Sequence, residues 1–303
     1  MSKSKVGRRD FLKKATALTA AGTAALSFEE QLLLGYQQPP PGGGRGRGRV
    51  EVPDVAGPMP MGKLGPYNIS RLIAGHNLVG WQAHSRDLIY VSQLLRNYFT
   101  EDKVLETFKM YEEAGINASY LRIETRMVDL AKRHNARNGK IQWIAQLVIN
   151  EKDQRRDLDI ALDVGAKIGY IRGLEGDRFW KADQMDVIKA GIDNAKKAGM
   201  IIGLATHSLD PLIAAEQLGG LGADFYMKTF NSAQYWSAGD ALTPDPAWKP
   251  KKDELVQSEY APGNHDNLWE TTPKQTTEFF AKVDKPFLAY KVLAAGAIHP
   301  IDG

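Results

Sequence analysis

Cysteine is absent from this 303-residue chain, which excludes disulfide bonds, thiolate metal ligands and a cysteine nucleophile. Long apolar runs are also absent. The apolar stretch at residues 15–28 is shorter than the ~20 residues that a spanning helix needs, so we expect no stable membrane span. The formal net charge is only +3, and much of the basic excess precedes Val52. This charge distribution does not favour a nucleic-acid partner.

The first residues resemble a twin-arginine export signal. Arg8 and Arg9 stand before the residues DFLKK, and the modestly apolar residues 15–28 follow. A positive segment before a short apolar one is typical of an export signal, whereas a basic amphipathic helix would mix the two around its axis. We therefore expect residues 1–28 to be a signal peptide and the twin-arginine translocase to be a partner. The protein is then exported, to the periplasm or another extracytoplasmic space.

A tract rich in proline, glycine and arginine follows the signal. Residues 37–49 read QQPPPGGGRGRGR and contain no apolar side chain to bury, so we expect disorder. The same composition occurs in RGG-type RNA-binding segments, but beside an export signal a flexible tether is favoured. We assign residues 29–60 to the tether and residues 61–303 to one folded domain.

Apolar, β-prone segments alternate with amphipathic helical segments in this domain, which predicts a parallel sheet with crossover helices. Thr100, Asp210-Pro211 and Thr272-Pro273 are helix-start signals, and Gly115 and Gly199 are stop signals. The seven candidate strands are residues 71–77, 118–124, 142–149, 167–173, 200–207, 223–230 and 286–294.

Seven such repeats predict an α/β fold, a TIM-type (β/α)8 barrel. A doubly wound sheet is the alternative, but residues 75–80 lack the spacing of a dinucleotide-binding glycine motif. Because the sequence ends soon after the seventh candidate strand, we expect the eighth strand to be missing and the sequence to be truncated at its C terminus.

Reacting groups in such barrels lie at the carboxyl ends of the strands. Lys228 and Lys291 lie in otherwise apolar candidate strands, where a lysine is costly to bury without a partner. A crowded lysine can form a Schiff base with a carbonyl group. We predict Lys228 as the nucleophile, Lys291 as its neighbouring cation and His207 as the proton shuttle.

Two long loops, residues 80–90 and 231–271, carry many aromatic and polar side chains. We predict that they wall a pocket at the strand ends for a small-molecule substrate, and that the local excess of cations favours an anionic or carbonyl-bearing compound. The predicted substrate-binding residues are His76, Asn77, Trp81, His84, Arg86, Arg122, Glu124, Arg172, Trp236 and Trp269.

The same strand ends offer a second interpretation, in which the cofactor is a divalent metal. His76, Glu124 and His207 would supply nitrogen and oxygen ligands from three strands. No histidine pair has a diagnostic spacing such as His-x-His or His-Glu-x-x-His.

Four segments resemble an uncharacterised family of exported bacterial (β/α)-barrel proteins, some of which are labelled aldo/keto reductase-like. They are residues 69–73, 83–92, 224–230 and 291–300, and the resemblance extends over most of residues 65–299. Reductase chemistry implies a tyrosine acid supported by Asp, Lys and His on early strands. Here the second candidate strand ends in Arg122-Ile123-Glu124, and the third offers Gln146 in place of lysine. The resemblance therefore implies the fold and not the activity.

Three functions remain open. The first is an exported enzyme of lyase or isomerase type that uses a strand-end lysine on a small polar carbonyl or carbohydrate-like substrate. The second is a metal-dependent isomerase or hydrolase in the same pocket, and the third is a non-catalytic sugar-binding barrel. We favour an enzyme, because this fold places reactive residues at strand ends for catalysis.

Overall fold

The computed structural model describes residues 57–83, 90–232, 270, 272–296 and 298. The predicted signal peptide and nearly all of the predicted tether lie outside these residues, and those described belong to one compact unit, Ala56–Gly303. No helix among them is both long and apolar enough to cross a membrane.

The described part opens with an antiparallel hairpin, β1 (Met61–Leu64) and β2 (Tyr67–Ser70). Its turn contains Gly65 at a φ of +55°, where a Cβ atom would lie 2.8 Å from Cδ1 of Ile201. Glycine therefore allows both the turn and its close packing against the start of a sheet strand.

Six parallel strands follow and pair strictly in chain order. They are β3 (Ala118–Arg122), β4 (Gln142–Leu147), β5 (Ile168–Ile171), β6 (Ile201–Thr206), β7 (Phe225–Thr229) and β8 (Phe287–Tyr290). Sequential parallel order with intervening helices is the topology of a (β/α) barrel, whereas a doubly wound sheet reverses its order. The predicted α/β fold of TIM-barrel type is confirmed.

The described helices are α1 (Tyr90–Tyr98), α2 (Glu101–Glu113), α3 (Thr125–Ala136), α4 (Arg156–Val164), α5 (Gly173–Lys181), α6 (Met185–Lys197), α7 (Asp210–Gln217) and α8 (Pro273–Phe280). Their ends follow local signals. The Thr100 hydroxyl accepts a hydrogen bond from Lys103 N at 3.4 Å, which caps α2. Gly115 and Gly199 both adopt a φ of +79° just after a helix, in the left-handed region that stops helices.

The two faces of the sheet bury separate apolar clusters. On β7, Phe225 and Met227 join the inner cluster with Leu64 and Ile69 of the hairpin, which therefore covers the amino end of the sheet interior. Tyr226 joins the outer cluster beneath the helices, with its ring 6.5 Å from that of Phe280. This alternation fixes the direction of every other side chain on the strand.

The predicted first strand, residues 71–77, was wrong in extent and is reduced to a single parallel bridge at Ala74. Ala74 N donates to Ala118 O at 2.9 Å, and Tyr120 N donates to Ala74 O at 3.0 Å. Only this residue reaches β3, because Arg71 N is bound to Pro60 O and Gly80 N closes a turn on His76 O. The other six predicted segments each contain one observed strand. Within the described residues, β8, which lies in the seventh predicted strand segment, pairs only with β7.

Candidate active site

Two glycines allow α5 to pack directly against β6. The helix begins at Gly173, one residue after Arg172, which follows the end of β5. A Cβ atom at Gly173 would lie 2.9 Å from Tyr290 Oη, and one at Gly176 would lie 2.3 Å from the Ala205 carbonyl oxygen. A larger residue at either position would push the helix away. The close approach brings the second turn of α5 to the carboxyl end of β6.

Asp177, on that turn, binds both His207 and Ser208. Its Oδ2 lies 2.7 Å from His207 Nδ1 and accepts from His207 N at 3.0 Å, and its Oδ1 accepts from Ser208 N and Ser208 Oγ, each at 3.2 Å. An ionised carboxylate can only accept, so Nδ1 carries the hydrogen in this pair. Proton exchange with a substrate then falls to Nε2, the arrangement of a general base oriented by a carboxylate.

Tyr290 and Thr229 lie on the adjoining strands, beside this pair. The ring of Tyr290 lies 5.8 Å from the imidazole ring of His207, and its hydroxyl donates to Thr206 O at 2.8 Å. The Thr229 hydroxyl donates to His207 O at 2.8 Å. Burial raises the pKa of Tyr290 well above the ordinary tyrosine value, so its phenol stays neutral.

Phenol and amide groups line the inner face of the sheet on β3, β4 and β5. Gln146 Nε2 donates to Tyr170 Oη at 3.0 Å, and the rings of Tyr120 and Tyr170 meet edge to face with centroids 5.6 Å apart. Burial raises the pKa of both tyrosines above the ordinary tyrosine value, so both phenols stay neutral. These groups can therefore form hydrogen bonds with an uncharged polar molecule without carrying charge themselves.

The two predicted arginines at strand ends are ion-paired. Arg122 Nε lies 2.7 Å from Glu124 Oε1, and Arg172 binds both carboxylate oxygens of the buried Glu175 at 2.6 Å each. The positive charge that favoured an anionic substrate is thus neutralised locally.

The structure does not bring Lys228 and His207 into one pocket. Lys228 alternates with the inner-face residue Met227 and lies on the outer face of β7, where its side chain is 1% exposed. Its Nζ lies 2.7 Å from Glu270 Oε2 and donates to Thr229 O at 3.0 Å. Burial lowers the pKa of Lys228 and the Glu270 carboxylate opposes that shift. This placement does not fit a substrate-facing nucleophile.

Lys291 follows β8 in the left-handed backbone region, with a φ of +56°. Its carbonyl accepts from Asn231 Nδ2 at 3.3 Å and from Ala294 N at 2.9 Å. These contacts tie the end of β8 to the end of β7. The Lys291 backbone therefore joins the ends of these two strands. These contacts do not support its predicted role as the cation beside Lys228.

Two predicted binding residues, His76 and Trp81, lie before α1 in different surroundings. His76 is 8% exposed, and among the described residues neither of its ring nitrogens has a hydrogen-bond partner. Burial, together with the positive charges of Arg122 and Arg126, lowers the pKa of His76 to about 3. Trp81 Nε1 donates to Phe99 O at 2.9 Å, and the Arg126 guanidinium stacks 3.6 Å from its ring centroid.

The backbone carbonyl of Asn77 accepts from Gln82 N at 2.8 Å. Four further predicted binding residues lie outside the described part of the chain: His84, Arg86, Trp236 and Trp269.

The three proposed metal ligands do not form a ligand set. Among the described residues, no group of three or more His, Asp or Glu side chains is placed to hold a metal ion. His207 Nδ1 is bound to Asp177, Glu124 is paired with Arg122, and His76 Nε2 packs against Gly80 so closely that a Cβ there would lie 2.3 Å away. These residues therefore do not fit the predicted metal site.

Sequence reasoning missed Asp177, Glu270 and the three inner tyrosines Tyr120, Tyr170 and Tyr290. The sequence did contain a signal for Asp177. Gly173 and Gly176 lie at and just after the end of a predicted strand, and glycines three residues apart lie on one face of a helix, where they allow close packing against a neighbour. Asp177 is the next residue after this pair. Nothing local in the sequence marks Glu270, which lies 42 residues from Lys228 in the chain.

The fold and this site define a (β/α)-barrel protein with polar side chains gathered at the carboxyl end of its sheet. No protein-family model matches the chain, and no curated protein matches it.

Among solved structures, the chain is similar to the aldolase QR15, with 15% identity and a TM-score of 0.35 over 43% of this chain and 61% of that one. It is similar to the aldo-keto reductase AKR11C1 from Bacillus halodurans, with 13% identity and a TM-score of 0.39 over 57% and 58%. It is also similar to an aldo/keto reductase from Brucella melitensis, with 11% identity and a TM-score of 0.41 over 80% and 93%.

The matched part thus spans about three fifths of the aldolase and of the Bacillus reductase. At these TM-scores the likenesses assign no activity, and the fold assignment rests on the order of the sheet strands.

Proposed function

We propose that this protein is a barrel enzyme that transfers a proton on a small, uncharged carbonyl or carbohydrate-like substrate. The single observation that carries the proposal is the Asp177–His207 pair at the carboxyl end of β6, with Oδ2 and Nδ1 at 2.7 Å. Proton removal beside a carbonyl group is common to isomerases and lyases, so the reaction class remains the one expected from the sequence. His207 keeps the proton-transfer role predicted from the sequence, and the proposal assigns no residue the nucleophile role predicted for Lys228.

In this proposal His207 Nε2 accepts a proton from the carbon beside the carbonyl, and Asp177 stabilises the imidazolium that forms. The inner-face groups Tyr120, Gln146 and Tyr170 contact the hydroxyl and carbonyl oxygens of the substrate. Neutral phenols are suited to this because they can donate to an oxygen that gains negative charge without repelling it. The paired states of Arg122 and Arg172 support an uncharged substrate.

The test is hydrogen exchange. Purified protein is incubated in D2O with a panel of hydroxyaldehydes, hydroxyketones and aldoses, and the loss of the C–H signal beside the carbonyl is followed by proton NMR. A general base typically contributes about 10²–10⁴-fold, so His207→Gln should slow exchange at least about 100-fold. Asp177→Asn should also slow exchange strongly, because the amide no longer fixes the ring tautomer.

The control is Asp193→Asn, which removes an exposed partner of Lys189 on α6 and should leave exchange unchanged. Exchange that persists in His207→Gln would contradict the proposal. If the wild type exchanges no hydrogen and the His207→Gln variant still binds a sugar, the non-catalytic sugar-binding barrel would be favoured.

A further inference from the structure

The ion pair between Lys228 and Glu270 is fully buried, with side-chain exposures of 1% and 0%. Glu270 uses both carboxylate oxygens: Oε2 lies 2.7 Å from Lys228 Nζ and 3.4 Å from Thr276 Oγ1, and Oε1 accepts from Thr272 N at 2.8 Å. Burying two charges is expensive, and apolar replacements of such pairs are often neutral or stabilising. Stability alone is therefore a weak reason for this pair.

The pair is connected to His207 by two successive hydrogen bonds. Lys228 Nζ donates to the carbonyl of Thr229 at 3.0 Å, and the Thr229 hydroxyl donates to the carbonyl of His207 at 2.8 Å. Lys228 also lies in register with Thr206, the residue before His207, in the pairing of β6 and β7. The backbone of His207 is thus fixed from β7, while Asp177 fixes its ring from α5.

We propose that Lys228 and Glu270 are positioning residues, which hold the end of β7 and the start of α8 so that Thr229 keeps His207 in the geometry needed for proton transfer. This inference rests on the proposed function of His207. It gives the predicted strand lysine a role on the outer face of the sheet, where it acts through another residue and does not contact the substrate.

The chain contains a matched pair near the other end of the same strand. Lys285 Nζ lies 2.6 Å from Glu216 Oε1, with side chains 23% and 30% exposed, and Glu216 also accepts from the hydroxyl of Tyr226. Tyr226 shares the outer face of β7 with Lys228. It lies two residues before Lys228 along the strand, and is therefore farther from Thr229 and His207. Removing the Lys285 pair should therefore alter β7 locally without moving His207.

The experiment compares the full-length variants Lys228→Met/Glu270→Gln and Lys285→Met/Glu216→Gln. The glutamines keep hydrogen-bonding groups while both charges are removed. The readouts are thermal unfolding, the nitrogen-15 signals and pH titration of the His207 ring by NMR, and the hydrogen-exchange rate described above. Asp177 and Tyr290 both face this ring, and neither is changed. Because the charge of Lys228 also acts on Asp177, Thr229→Val is measured beside the double variants as the change that leaves both charges in place.

We expect both double variants to fold, and only Lys228→Met/Glu270→Gln to shift the His207 ring signals and titration midpoint and to slow exchange at least tenfold. A folded variant with unchanged His207 signals would overturn the inference. If that variant does not fold, Thr229→Val, which removes the hydroxyl bond to His207 O, must give the same shift, and unchanged signals there would overturn the inference equally.

The ring signals separate this inference from the proposed function. Shifted signals in a protein without any exchange activity would retain the positioning role and reject the proton-transfer function. Wild-type exchange that survives unaltered in the Lys228 and Thr229 variants would retain the function and reject the positioning role.

Discussion

At the scale of single residues, His76 is a buried, neutral imidazole close to two arginines. Burial is the first cause, and the guanidinium groups of Arg122 and Arg126 add to it, so the pKa of His76 falls to about 3. An unfolded chain would return this imidazole to its ordinary pKa of about 6.5. Between these two values the unfolded state binds the proton and the folded state does not.

The free energy of unfolding should therefore fall as pH decreases below about 6.5, because of this residue alone. Between pH 7 and pH 5 the loss is about 2 kcal/mol, from a limiting slope of about 1.4 kcal/mol per pH unit. His76→Gln should lose about 2 kcal/mol less than the wild type over the same interval. Urea unfolding at pH 7 and pH 5 measures the difference, and equal losses in the two proteins would show that His76 binds its proton normally when folded.

Lys228 shows what a single residue in a sequence can and cannot reveal. A period of two predicts that Tyr226 and Lys228 share a face of β7, and they do. It does not say which face points inward, because both faces of a parallel barrel strand are buried and apolar. The sequence placed this lysine in an apolar strand, but its partner Glu270 and its direction depend on contacts 42 residues apart in the chain.

At the scale of elements, the packing of α5 on β6 positions the candidate dyad. Gly176→Ala would place a Cβ atom 2.3 Å from the backbone oxygen of Ala205, and backbone cannot move aside as a flexible side chain can. We expect a destabilisation of about 1–3 kcal/mol from overpacking, together with altered ring signals of His207 as Asp177 is displaced. Urea unfolding and NMR measure the two effects.

Gly191→Ala on α6 is the matched control. Its added Cβ would approach Cδ1 of Ile149 at 3.0 Å, and that atom is the end of a side chain that can rotate. Alanine also favours a helix over glycine by about 1 kcal/mol, so this variant should be close to the wild type or more stable. If Gly176→Ala matched it in stability and left His207 unchanged, close helix packing would not be what places Asp177.

The elements themselves were largely predictable, because each is specified by local patterns. The six strands of the sheet lie inside six predicted segments, and Thr100, Gly115 and Gly199 mark helix ends as expected. The bridge at Ala74 was overestimated as a strand, since the number of residues that reach β3 depends on how the hairpin and the following turn hold the chain. Of the candidate dyad, His207 was predicted from its place at a strand end, and Asp177 was not.

At the scale of the whole molecule, the two ends of the sheet carry different groups. Leu64 and Ile69 are buried against the amino end of the sheet interior, and the polar groups gather at the carboxyl end. This gathering of polar groups depends on packing among many distant segments. The lack of cysteine means that this packing forms without disulfide bonds and is independent of the redox state of the compartment.

Export of a folded molecule by the twin-arginine route is our proposal for how this protein reaches its compartment. It depends on Arg8 and Arg9 before the apolar residues 15–28. Replacing both arginines by lysine keeps the charge of the segment, so a loss of export in a reporter fusion would report on the arginine pair itself. We expect that loss, and unchanged export when Arg45 and Arg47 of the proposed tether are replaced by lysine in the same fusion. Undiminished transport of the first variant would refute the twin-arginine assignment, because export would then not require the arginine pair. Transport only as an unfolded precursor would refute it equally, because the twin-arginine route carries folded proteins.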